Sequence, residues 1–299
     1  MQGQSVKSRL HTLLTDPLTT RLVHRFRRDR LALVALGVVT TVFILAIGAP
    51  FFARYQPDSI SLSNVLESPS IAHPFGTDYL GRDILSRVIW GARSVIEIIV
   101  YSTLIAGSIG TIVGAFSGFR GGLFDRIVMR SVDVIMSFPN IILALAIIAI
   151  LGASLENAII AVSLYQIAPY ARLIRGEVLS ARERPYVDNA RAVGARDSRI
   201  LFGHIMPNVV GPLIVQITFG TASALLSVAG LSFFGLGAQP PTADWGLMIY
   251  QSLSYFYLDP LQFVFPGLAL VIVIASLNII GESLRDALDP KIQTIRKII

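Results

Sequence analysis

Long apolar runs alternate with short polar segments along this chain, and the runs predict membrane helices. They lie at residues 31–53, 94–117, 134–152, 155–170, 209–236 and 261–280. About 20 apolar residues in a helix cross the hydrocarbon of a bilayer. The first run is too long for the core of a cleavable leader, so it reads as a span. Residues 80–93 show a different period. Leu80, Ile84, Leu85, Val88 and Ile89 recur at helical spacing, with Arg82, Asp83, Ser86 and Arg87 between them. That pattern predicts an interfacial amphipathic helix leading into the second span. Residues 119–133 read as a short inner turn, and 237–260 as an outer loop whose Trp245, Tyr250, Tyr255 and Tyr257 sit at the interface.

Within the spans, Gly110 and Gly114 form a small-xxx-small pair suited to close helix approach. Pro139 and Pro169 predict kinks in the third and fourth spans. Glu97, near the outer end of the second, reads either as a carboxylate that snorkels to the interface or as a functional group. In the fifth, Gln216, Thr218 and Ser223 are candidate pathway-lining residues; bonding across helices or to their own carbonyls is the competing reading.

Composition sharpens the class. Hydrophobic residues make up 53% of the 299, charged residues 15%, against about 25% charged in soluble domains. The absence of Cys excludes disulfides, thiolate catalysis and Cys-based metal sites. The net charge of +6 does not indicate nucleic acid, because 21 of the 25 Lys and Arg fall in segments that six spans place on one side. The positive-inside rule makes that side cytoplasmic, with both termini there. The fold class is therefore an all-α polytopic membrane protein with six transmembrane helices. A basic segment occupies 1–30, the transmembrane domain 31–290 and a cytoplasmic tail 291–299.

The most informative polar segment is 172–208, with seven arginines. A short helix over 187–195, ended by Gly194, is predicted at its tip, in a form suited to a groove on another protein. Here Asp188-Asn189-Ala190, then Gly194, then Met206-Pro207 resembles the Glu-Ala-Ala loop of ABC-importer permeases. Asp188 replaces the family's Glu, Asn189 its second position and Met206 its Leu, while His204 stands where an Ile is expected. His73-Pro74-Phe75-Gly76-Thr77-Asp78, Gly81-Arg82-Asp83 and the run from Leu231 to Ile249 resemble the dipeptide, oligopeptide and nickel branch of that family.

The resemblance implies a type I importer permease in a bacterial or archaeal cytoplasmic (inner) membrane. Its implied partners are a second homologous permease subunit, two cytoplasmic ABC ATPase subunits, an extracytoplasmic substrate-binding protein and the lipid bilayer, with no nucleic acid. The implied cargo is di- or oligopeptides; nickel or a metal chelate is the alternative. Tyr186, Asp188, Ala190, Gly194, Ala195 and Pro207 become the candidate ATPase-coupling residues. No cofactor is expected on this chain, since ATP and Mg belong to the partner ATPases.

The sequence itself holds no G-x-x-x-x-G-K-[ST] phosphate loop, no H-E-x-x-H and no G-x-S-x-G. The chain is therefore not expected to be an enzyme. His73 and Asp78 are too few for a metal site and read as polar caps of a turn. An ion-gradient-driven transporter is the competing class. The near absence of mid-span Asp, Glu, Lys and Arg, and of a clear internal repeat, counts against it.

Overall fold

The structure is a computed structural model that describes residues 29–288. The expectations for residues 1–28 and for the tail 291–299 lie outside the described residues. Helix α1 (Arg30–Phe52) is the predicted first span. Asp29 caps it, accepting from the backbone N–H of Leu31 at 3.0 Å and of Ala32 at 3.2 Å. Its buried side is small, with Ala32, Ala35, Ala46 and Ala49, so neighbouring helices approach closely.

Helix α2 (Ile84–Arg120) begins ten residues before the predicted span. The separate interfacial helix expected at 80–93 does not form. Residues 84–93 are the first turns of α2, and the polar face that was expected to meet water is buried. Asp83 caps the helix by accepting from the Ser86 N–H at 2.7 Å.

Gly110, Gly114 and Gly118 form one stripe along α2. A Cβ on Gly114 or Gly118 would collide with backbone of α5 (Leu155–Arg182), at Ala171 and at Arg175 respectively. The predicted small-residue pair is thus two thirds of a longer helix-crossing seam.

The third span departs from expectation. Residues 119–133, read as a turn, are mostly helix α3 (Gly122–Ser137). Helix α4 (Asn140–Leu151) follows, and the two meet at 93°. Pro139 lacks an N–H and drives Phe138 into extended backbone (φ −89°, ψ 139°), which ends α3. Pro169 does not end α5, which runs on to Arg182, well past the predicted end at 170.

A short helix α6 (Pro185–Ala192) comes next, then α7 (Asp197–Ile200), a π-turn (Leu201–Ile205) and α8 (Met206–Phe233). The wide turn sits just before Pro207, whose ring would crowd an ordinary turn four residues back. Helix α9 (Trp245–Ser252) lies in the segment read as a loop, and α10 (Leu261–Leu288) closes the bundle. Trp245, expected at the interface, is instead core: it is 3% exposed, packs on Gly91 and donates to the Val88 carbonyl at 2.9 Å. Tyr257 does stand out, at 99%.

Among the described residues, four helices are long and apolar enough to cross a membrane: α1, α2, the continuous stretch Asp197–Phe233, and α10. The bent pair α3–α4 makes up to five. Helix α5 falls short because its second half carries Arg172, Arg175, Glu177 and Arg182.

Three apolar clusters run through the described residues of the bundle, the smallest being Val132 of α3 with Ala168 and Ala171 of α5. The largest includes Ile98, Ile148, Leu225, Val228, Trp245 and Leu247. The second lies at the arginine-rich end and supports the candidate site.

Candidate functional site

Helix α6 is held by its underside. Val187 is fully buried and is its one buried residue, seated among Ile174, Val178, Ile200, Leu201 and Ile205. Tyr186, Ala190 and Ala195 pack on the edge of the same cluster. Pro185 opens the helix at its first turn, where a missing N–H costs nothing. Asp188 lies in that turn, where a carboxylate suits the helix dipole.

The far end closes by a paired bond. The Ala195 N–H donates to the Ala190 carbonyl at 3.0 Å and the Gly194 N–H to the Arg191 carbonyl at 2.9 Å, with Gly194 at φ +78°. This is the Schellman arrangement, which needs a left-handed residue at the Gly194 position. The predicted helix 187–195 is therefore shifted, starting at Pro185 and ending at Ala192. Ala190, Gly194 and Ala195 act together in its C-cap.

The remaining predicted residues divide. Asp188 is exposed, with only a 3.5 Å contact to Arg191. Tyr186 is tied to the start of α8 through Asn208, whose amide donates to the Tyr186 hydroxyl at 3.4 Å and to the His204 carbonyl at 2.7 Å. Pro207 is exposed one residue away. Five of the six candidates, Tyr186, Asp188, Ala190, Gly194 and Ala195, thus lie on α6 or in its C-terminal turn, and Pro207 lies apart in the first turn of α8.

This end of the bundle is braced by ion pairs the sequence did not reveal. Arg175 donates to both oxygens of the buried Asp125, at 2.5 and 2.6 Å, and Ser117 donates to the same carboxylate. Arg172 pairs with Asp133 at 2.7 Å, and Arg182 donates to the Phe119 carbonyl at 2.8 Å. These bonds join α5, which leads directly into α6, to α2 and α3. The partners lie 8 to 63 residues apart, so local pattern carries no trace of them.

The three pathway candidates are not brought together. Ser223 lines a small recess with Asn140, Tyr165, Gln166 and Ser227. Thr218 donates to its own helix at the Ile214 carbonyl, 3.0 Å away, and Gln216 lies outside the recess. Gln166, missed in the sequence, is buried and donates to the Gly220 carbonyl at 3.0 Å, across to α8.

At the opposite end, Arg87 is 1% exposed. It donates to the carbonyls of Pro57 at 2.5 Å and Thr242 at 3.3 Å. Arg82 pairs with Asp78 at 2.6 Å, and His73 bonds Asp83 at 3.0 Å. His73 and Asp78 engage different partners, as expected of turn-capping groups. Nearby, Glu97 lines a pocket of about 470 Å³ with Trp90, Arg93, Glu156 and Gln239, so its surroundings are polar protein and not lipid alone.

Comparison with known proteins agrees with this layout. Residues 110–294 match the family described as binding-protein-dependent transport system inner membrane component, and residues 18–69 match the N-terminal transmembrane domain of oligopeptide transport permease C. The dipeptide transport system permease protein DppC of Alkalihalophilus pseudofirmus is 40% identical over 270 residues, covering 90% of this chain and 89% of that protein.

The chain belongs to the binding-protein-dependent transport permeases.

The glutathione transport system permease protein GsiD of Escherichia coli is 41% identical to this permease, with the same coverage. Among solved structures, the inward-facing MetNI methionine ABC transporter has a chain that superposes with a TM-score of 0.54 at 20% identity. It covers 69% of this permease and 98% of that chain, and supports the type I importer fold. This permease is a membrane subunit of an ABC importer in the inner membrane, and it works with ATPases and a binding protein. It is not itself an enzyme; ATP hydrolysis belongs to the partner subunits.

Proposed function

We propose that this permease carries di- or oligopeptides inward and that α6 is where ATP hydrolysis is felt. Relatives at 40% and 41% identity are named for dipeptide and glutathione transport, which supports peptide cargo. The observation that carries the coupling role is the construction of α6. Val187 anchors one side in an apolar socket while Asp188 and its exposed neighbours face away. A short helix so mounted moves with its support as a rigid piece.

Tyr186, Asp188, Ala190, Gly194, Ala195 and Pro207 form the ATPase-facing surface in this reading. Ser223, and Gln216 two turns before it on the same side of α8, face the route of the cargo; Thr218 is turned to the opposite side. Six spans place both termini and α6 in the cytoplasm, with the bent pair α3–α4, whose α3 half lies at the membrane surface, as the third and α5 as the fourth. A second homologous permease and two ATPases complete the assembly, this chain binds no cofactor, and the binding protein docks at the opposite end.

The test is uptake of a labelled dipeptide into liposomes carrying the full transporter, with binding protein outside and ATP inside. Wild type is expected to require both. Gly194→Val forces a β-branched residue to φ +78°, a strain of roughly 1–3 kcal/mol. It is expected to insert normally and lose most ATP-driven uptake. Uptake without ATP, or undiminished uptake by the variant, overturns the reading.

A further inference from the structure

Helix α3 has one face the importer reading does not use. Its inner face is committed: Asp125 is bonded to Arg175, Val132 is buried, and Met129, Ile135 and Met136 pack against Ala168 and Ala171 of α5. Its outer face leaves Leu123 66%, Ile127 59% and Val134 54% exposed. Between them run Arg126 and Arg130, one helical turn apart, on an open groove of about 330 Å³ lined also by Ile127, Ser131 and Val134. Arg120 adds a third guanidinium, 6.0 Å from the centre of the Phe124 ring.

Among the described residues, no carboxylate lies within ion-pair distance of Arg126 or Arg130. The acidic group exposed on this helix, Asp133, is paired with Arg172. The orientation completes the picture. Helix α4 is apolar from Ile141 to Leu151, and α3 turns from it by 93°. With the apolar α4 entering the hydrocarbon, α3 lies along the bilayer surface. An interfacial helix with arginines above an apolar stripe is the form that binds acidic lipid.

We propose that α3 holds an anionic phospholipid of the cytoplasmic leaflet. Its phosphate sits between Arg126 and Arg130, and its acyl chains lie on Ile127 and Val134. The lipid would then steady α3, which is bonded through Asp125 and Asp133 to the helix that carries α6. The inference rests on the proposed orientation of the arginine-rich end and is independent of the cargo.

The test uses the full transporter, purified and placed in nanodiscs of phosphatidylcholine with a minor fraction of phosphatidylglycerol. Lipid retained on the protein is measured by native mass spectrometry. Wild type is expected to enrich phosphatidylglycerol. The double variant Arg126→Gln with Arg130→Gln is expected to lower that enrichment roughly thirtyfold, with the complex still assembled. Arg54→Gln, which alters an arginine near the other end, is expected to leave it unchanged.

Equal enrichment in the double variant overturns the proposal. So does full displacement by inorganic phosphate, which would mean a site for a free anion. Cross-linking from residue 126 to another subunit, without retained lipid, also overturns it, because a protein then covers the face. Reversed orientation would appear separately, as protection of position 196 from an impermeant label applied at the cytoplasmic face.

Discussion

At the end built from residues 53–87 and 235–260, Asp78, Arg82 and Arg87 are buried and bonded to one another or to backbone, and the buried Asp83 is bonded to His73 and to the Ser86 N–H. At the other end Asp188, Arg191, Arg196 and Arg199 stand exposed around a helix anchored by Val187. The same residue types serve opposite purposes. A buried charge must keep its partners, so it fixes one arrangement of the loops around it. An exposed charge on an apolar pivot keeps little energy in any one pairing. It remains available to a partner, which in the proposed coupling role is the ATPase. One end is built as a fixed frame and the other as a movable contact.

The sharpest way to break this comparison is Arg87→Ala. Removing one partner of a buried charged group strands the others, at a cost of about 3–5 kcal/mol. Asp78, 3.8 Å from Arg87, and the carbonyls of Pro57 and Thr242 would lose a donor. A much lower thermal midpoint in detergent, or loss of the folded protein, is expected. A midpoint within a few degrees of wild type would mean that this end is not a rigid frame.

Next in size is Val187→Asp, which places a carboxylate in the apolar socket of Ile174, Val178 and Ile200. Burying it unpaired is unfavourable by several kcal/mol, so α6 is expected to leave its seat while the bundle stays intact. The measurement is co-purification of the ATPases with the folded permease, and their loss is expected. Retention at wild-type level would detach α6 from the coupling role.

The comparison also explains what the sequence revealed. Apolar runs gave the span at 31–53 to within a residue at each end and the start of the one at 261–280, whose helix continues to Leu288 through two further turns that stay helical although polar. The position of α6 was legible because Gly194 marks its end by local chemistry; its start at Pro185, two residues before the expected one, was missed. The polar face of 80–93 was misread because its period is the same whether it meets water or a buried partner. Its partners, Pro57 and Thr242, are 30 and 155 residues away. The bend at Pro139 was visible as a proline, yet its 93° angle depends on α3 being tied to α5 by Asp125 and Asp133.

A third variant probes the frame from the other direction. Asp244 caps α9, accepting from the Leu247 N–H at 2.9 Å, and is 2% exposed. Burial pushes its carboxyl above the usual range. A raised acid stabilises the fold fully below the unfolded value near ~3.9, and that contribution fades as pH rises through the folded value. Asp244→Asn keeps an acceptor for the cap and removes the buried charge. The variant is expected to gain on wild type as pH rises above about 4, seen as a widening difference in thermal midpoint. A difference that narrows over that range would show the carboxylate to be favourable where it lies.

The smallest effect on stability is expected from Asp188→Ala. Its contact with Arg191 is long and exposed, so the change in the bundle should stay within about 0.5 kcal/mol. If the exposed end serves a partner, the loss must appear elsewhere, as weaker transport-linked ATP hydrolysis at unchanged thermal midpoint. A fall in midpoint comparable to that of Arg87→Ala would show that charge holds this end together as it does the other. The separation between frame and contact would then fail at the residue where it is most exposed to test.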